Sequence, residues 1–284
     1  MSRVEVKKTY KLYIGGKFPR SESGRSYPAK GSDGEVLARV ARASRKDLRD
    51  AVRTARAALD DWSGRSGYNR GQVLYRIAET LEDREGAFVS QLTDLGLTKK
   101  KAGDEVARTV DQLVWYAGWS DKFAQIYGNL NPVAGPFFNI SAPEPTGVVG
   151  LVAPEEPALE GLVVRLAPIL VSGNTAVVLA SEQSPMPAIT FTEVLDTSDV
   201  PGGVVNVLTG NKDELIPVLA DHMDVNAVDA GGATDGQAAR IQQGAVHNVK
   251  RVVAPSHDSA AKSPYRIAAF TEIKTVWHPK ASDT

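Results

Sequence analysis

Glu155 and Glu156 stand side by side in the turn Pro154-Glu155-Glu156-Pro157-Ala158. Paired carboxylates are the usual equipment of acid–base catalysis. Their simpler role is at a helix start, where acidic side chains meet the positive end of the helix dipole and a proline needs no N–H partner. Stronger signatures are missing. The sequence has no cysteine, which excludes thiolate nucleophiles, disulfides and thiolate-bound metals. His222, His247, His257 and His278 lack metal-ligand spacing. No Gly-x-Ser-x-Gly elbow and no phosphate-binding Gly-x-x-x-x-Gly-Lys loop occurs, and Gly231, Gly232 and Gly236 do not make a Gly-x-Gly-x-x-Gly fingerprint.

These residues need rigid elements to hold them. Val148 to Ala153 reads as a strand, followed by a helix that ends near Ser172-Gly173, a strand over Thr175 to Leu179, a second helix, and a strand over Val204 to Leu208. That alternation predicts a βαβαβ unit of a parallel sheet. Upstream, Lys11 to Phe18 suits a hairpin around Gly15-Gly16, and Gly31 to Gly34 a turn before a strand over Glu35 to Val40. Ser44 with Asp47 marks a helix start, and Leu48, Ala51, Val52, Ala55 and Leu59 recur at helical spacing. One further helix is predicted over Asn69 to Leu92 and another over Lys101 to Tyr116, with Lys99-Lys100-Lys101 as a solvated loop before it. The prolines of Asn129 to Pro145 suit an exposed ribbon, and Phe270 to Trp277 alternates as an edge strand does. Between them, Ala254 to Ser263 is small and polar like a linker.

The formal net charge of -1 gives no reason to expect nucleic acid or an anionic membrane as partner. No apolar run approaches the roughly 20 residues of a membrane span, and the first residues lack a secretory apolar core, so a cytoplasmic location is expected.

The segments LAPILVSGNTAVVLASEQSP (from Leu166) and VPGGVVNVLTG (from Val200) resemble the aldehyde dehydrogenase superfamily. So do KLYIGGKF, GEVLARVARASRKDLRDAVRTARAALDDW and WYAGWSDK, collinear from about Tyr10 to about Val253. The resemblance implies an α/β fold, a Rossmann-like parallel sheet flanked by helices, with a protruding β oligomerisation arm. It assigns residues 1–122 and 146–255 to the dinucleotide-binding domain and 123–145 with 264–280 to the arm. Residues 256–263 then become a linker in place of a missing catalytic domain.

It also implies what has been lost. The family's nucleophile is a cysteine. Glu156 occupies the position of its oxyanion-steadying asparagine, an amide donor of the kind worth roughly 3–4 kcal/mol, where a carboxylate repels instead. Leu179-Ala180-Ser181-Glu182 stands for Lys-Pro-Ser-Glu, and Ala230-Gly231-Gly232-Ala233 for Phe-Thr-Gly-Ser. Glu182 and Gly232 are therefore the vestigial cofactor-binding candidates, no catalytic residue is expected, and no cofactor is expected to bind. The implied role is a non-catalytic subunit that scaffolds or regulates a full-length aldehyde dehydrogenase paralogue, or pairs with itself, through the arm and an apolar face bared by the missing domain. The alternative is an NAD- or NADP-dependent oxidoreductase component of a composite site.

Overall fold

The computed structural model describes residues 6–254 and 262–280. In chain order it contains β1 (Thr9–Tyr10), β2 (Ser26–Lys30), β3 (Val36–Ala41), α1 (Arg45–Gly64), α2 (Gly67–Asp83), α3 (Glu85–Asp94), α4 (Lys99–Ala117), α5 (Phe123–Tyr127), β4 (Asn129–Asn131) and β5 (Phe137–Pro145). Then come β6 (Val148–Val152), α6 (Glu160–Val171), β7 (Thr175–Leu179), α7 (Pro185–Asp196), β8 (Val205–Leu208), α8 (Lys212–Asp221), β9 (Ala227–Asp229), α9 (Asp235–Ala245), β10 (Arg251–Val253), α10 (Tyr265–Ala268) and β11 (Thr271–Pro279).

The central sheet runs β10-β9-β6-β7-β8 with every neighbouring pair parallel. Helices cover both faces, which is why β6, β7 and β8 are buried at every residue and carry continuous apolar runs. Alternation along each strand divides the core in two. Val148, Val152, Val177 and Leu208 pack with Leu48 and Val52 of α1, Leu215 and Leu219 of α8, and Ile241 of α9. Val149, Leu151, Ala176 and Val178 pack on the opposite side with α2, α4, α6 and α7. Gly150 is required here, since a Cβ would meet the Leu219 side chain at 2.8 Å.

Local chemistry explains the helix ends. Ser44 caps α1 by accepting from Lys46 N and Asp47 N, each at 3.2 Å, while Asp47 accepts from Ser44 N at 2.7 Å. The single helix expected over 69–92 is instead two, α2 and α3, broken at Arg84. Gly86, a poor helix former, lies in the first turn beyond the break. Thr98 caps α4 through Lys101 N, so the lysine run lies in the first helical turn rather than in the loop before it.

A separate antiparallel ribbon, β11-β5-β4, stands apart from the sheet. β11 pairs with β5 over nine residues, from Thr271 opposite Pro145 to Pro279 opposite Phe137. Leu130, Ile140 and Val276 face one another across its three strands, and all are exposed. Of the expected linker over 256–263, only Lys262 and Ser263 are among the described residues.

A buried ion pair ties α6 to the sheet. Arg165 of α6 donates to Asp229 at the end of β9 at 2.9 Å, and both side chains are buried. Burial pushes the Asp229 carboxyl up, while Arg165 and the Gly231 N–H pull it back. Replacing Arg165 alone by Met should destabilise the chain by about 3–5 kcal/mol, because it strands a buried carboxylate; Arg165→Met with Asp229→Leu should recover most of that loss. Urea unfolding of the three variants checks it.

A second expectation concerns pH. Lys250 is buried beside β10, which pushes its ammonium down to about 8 against the pull of Asp221, and it donates to the His222 carbonyl at 2.8 Å. The unfolded lysine keeps its proton to about 10.5, so folding expels a proton and stability rises from about pH 8 to about pH 10.5. Unfolding free energies measured across that window should show the rise in the native chain and not in Lys250→Met.

Candidate functional site

In an open parallel sheet, ligands bind beyond the carboxyl ends of the strands, where the strand order reverses. Here β6, β7 and β8 run to one side of that point and β9 and β10 to the other. The loops that meet there follow β6, β7, β8 and β9, and they contain Glu155, Glu156, Glu182 and Gly232, all singled out from the sequence.

The two adjacent carboxylates part company. Glu155 turns into the sheet edge, where it accepts from Lys212 Nζ, from Ser181 Oγ at 2.6 Å and from Gln183 N at 3.0 Å. Burial pushes its carboxyl up, but these donors outweigh burial and hold it below the usual carboxylate range. Glu156 is exposed and lines a cleft of about 530 Å³ with Leu92, Leu95, Lys101, Glu105 and Ser184. The pair therefore shares no proton and makes no acid–base dyad. Glu105 is buried and accepts from Leu159 N at 3.0 Å and Glu160 N at 3.2 Å, capping the start of α6. Burial raises its carboxyl against those two N–H groups.

Glu182 is also engaged. It accepts from Lys212 N at the first residue of α8, beside Asn211, which accepts from Glu214 N at 3.0 Å. Gly232 donates its N–H to Val152 O at 2.9 Å, so that group is not turned toward a ligand. Its missing side chain is a packing requirement, since a Cβ would lie 2.1 Å from Ala153 O. The start of α9 closes on itself through Thr234 and Gln237, with Asp235 adding negative charge in the first turn. The phosphate cradle expected over Ala230 to Ala233 is thus occupied by its own chain.

The β6–β7 half of the edge has a better donor set. Lys212, whose side chain is 3% exposed, reaches back from α8 to donate to Ala153 O at 2.8 Å as well as to Glu155. It brings a cation to the loop after β6, beside Glu155. The Tyr27 hydroxyl is buried without a partner among the described residues. Burial, then Glu182 and Glu155, push it up against the pull of Arg42. An ammonium, an orphaned hydroxyl and a carboxylate suit the phosphate and ribose of a dinucleotide, so this half fits such a group and the α9 half does not. Sequence reasoning missed Lys212, Arg165, Asp229 and Glu105. For Arg165 and Asp229 there was a signal, namely charges inside the apolar runs Leu162 to Leu170 and Val225 to Ala230.

Among the described residues, none of the exposed large apolar side chains falls in the loops after β6, β7, β8 or β9, whereas Leu130, Phe137, Phe138, Ile140, Ile273, Val276 and Trp277 all lie on the ribbon. Also among the described residues, no group of three His, Cys, Asp or Glu side chains is placed to hold a metal ion, and no helix is long and apolar enough to cross a membrane.

Known proteins share this architecture. Aldehyde dehydrogenase, cytosolic 1 of Elephantulus edwardii is 29% identical over 280 residues, covering 96% of this chain and 54% of that one. Omega-crystallin of Enteroctopus dofleini is 31% identical over 275 residues, covering 95% and 54%. The chain thus spans about half the length of the curated relatives it matches. PnpE of Pseudomonas sp. WBC-3, solved in complex with nicotinamide adenine dinucleotide, superimposes with a TM-score of 0.81 at 27% identity, over 86% of this chain and 50% of that one. An aldehyde dehydrogenase of Bacillus cereus in its NAD+ complex has the same TM-score at 24% identity, over 88% and 53%, a likeness of fold. These neighbours overturn the expectation that no cofactor binds, because the same architecture holds NAD in them. The α/β expectation and its Rossmann-like sheet are borne out. With the aldehyde dehydrogenase family profile matching residues 20–276, the chain belongs to the aldehyde dehydrogenase family.

Proposed function

We propose that this chain is a dinucleotide-holding subunit without independent catalysis, which braces or regulates a full-length aldehyde dehydrogenase through its ribbon. The ribbon carries the reading. Three strands place Leu130, Ile140 and Val276 in one exposed row with Phe138 on the same face, and Phe137, Trp277 and Ile273 on the other. Apolar area of that kind, on a two-sided ribbon with an open β11 edge, is suited to a partner sheet.

The chemistry of the sheet edge supports the other half. A cysteine-free chain has no thiol to attack an aldehyde carbonyl, and Glu156 supplies no N–H to a developing oxyanion. Bound NAD supplies a hydride acceptor, as it does in dehydrogenases generally. Lys212, Tyr27 and Glu182 are the residues that would hold it, the first two as donors to oxygen and the third as acceptor for ribose hydroxyls. Holding and oxidising are thereby separated, which suits a regulatory or composite role.

Three outcomes follow. Purified with a full-length paralogue from the same source, the chain should co-elute in size exclusion; independent elution with unchanged paralogue activity would sink the scaffold reading. Val276→Asp or Ile140→Asp should weaken association at least tenfold while leaving circular dichroism unchanged, since a charge set in a desolvated apolar row costs more than about 1.4 kcal/mol. Aldehyde oxidation by the isolated chain should be undetectable, and a turnover that survives repurification would refute the catalytic incompleteness.

A further inference from the structure

Lys212 is one of the few buried cations of the sheet, and it belongs to no strand. It is the first residue of α8, folded back so that its ammonium lies at the carboxyl ends of β6 and β7. An ammonium has three donors. Two are met, by Ala153 O at 2.8 Å and by Glu155, which leaves one N–H without a protein acceptor. Glu155 is differently placed. It sits on a loop with 31% of its side chain exposed, and it keeps Ser181 Oγ and Gln183 N as donors if the lysine leaves. The carboxylate can release its cation to an incoming anion without being stranded, because water and two other donors remain. Tyr27, whose hydroxyl is buried and unpartnered, feels the same two carboxylates, Glu182 and Glu155. A buried ammonium paired to a loop carboxylate that has two other donors, beside a buried hydroxyl without a partner among the described residues, describes a site closed by its own anion.

We propose that Lys212 is the cation that receives a dinucleotide phosphate at this edge, and that Glu155 is an internal competitor occupying the ammonium until the phosphate displaces it. This rests on the reading that the chain holds a dinucleotide, and adds which residue recognises it and which residue sets its affinity. The ammonium exchanges one anionic partner for another, so its own charge stays neutralised. The released Glu155 stays with Ser181 Oγ and Gln183 N, and its charge is met by them and by water.

Calorimetric titration of the full chain with NAD, and in parallel with NADP, tests it. Glu155→Gln keeps the size of the side chain but removes its charge and one acceptor oxygen, and should tighten binding about tenfold. Lys212→Met keeps the buried stem and should weaken it at least tenfold; the gain from Glu155→Gln should vanish in the double variant. Equal gains for NAD and NADP identify the shared pyrophosphate as the group met, and a gain confined to NADP identifies its extra phosphate. Binding by the native chain that neither substitution alters overturns the role given to Lys212 and Glu155 while leaving the dinucleotide reading intact. No binding by the native chain or by Glu155→Gln overturns both. Should Lys212→Met fail to fold by circular dichroism, the direction of the Glu155→Gln shift decides alone.

Discussion

A sheet buried on both faces has nowhere to place charge except its ends, and the pairing of charges at the carboxyl end organises much of this molecule. Arg165 with Asp229 and Lys212 with Glu155 lie on either side of β6, where the strand order reverses. Each pair ties a helix to a loop or strand from a distant part of the sequence. Arg165 anchors α6 to β9, and Lys212 anchors the start of α8 to the loop after β6. Isolated charges at such depth cost far more than a fold of this size retains as net stability, so each charge fixes the position of its partner. The geometry of the candidate site is a consequence of that neutralisation.

The layered α/β order was legible because it rests on local signals. Continuous β-branched runs marked β6, β7 and β8, helical spacing marked α1, and the Ser44–Asp47 box marked where α1 begins. What escaped was set by contacts distant in sequence. The residue opposite Glu155 is 57 positions away, and nothing around Lys212 distinguishes it from a surface lysine at a helix start. Gly232 looked like a phosphate glycine, yet the constraint on it is the Ala153 carbonyl, which only the docking of two loops brings near. The break at Arg84 was hidden because apolar positions continue in near-helical register through it, from Leu81 to Phe88 and Leu92, all buried.

The ribbon obeys a different logic. Its strands β5 and β11 are joined by nine pairings between segments more than a hundred residues apart, so their closure carries the entropy of a long loop. Thr271 is buried and the other eight residues of β11 are exposed, so little of that cost is met by packing against the body. Cross-strand contacts such as Phe137 with Trp277, their rings 5.8 Å apart, contribute within the ribbon itself. Apolar rows left open on both faces of such a structure favour a partner that covers them.

Holding a dinucleotide and oxidising an aldehyde make demands on different parts of such a fold, and the proposed reading separates them. On that reading holding draws on donors and acceptors at the ends of the strands, here Lys212, Tyr27 and Glu182. Oxidation needs a nucleophile and an amide aimed at a developing negative charge. Here the sequence has no thiol, and the loop offers Glu156, exposed and pointed at the cleft beside α3 and α4. A carboxylate there is tolerable only because nothing negative develops next to it. The same charge that would oppose catalysis costs little at a solvated helix start. On the proposed reading Glu156 is released from the demands of the reaction, whereas Glu155 stays tied to the buried ammonium of Lys212.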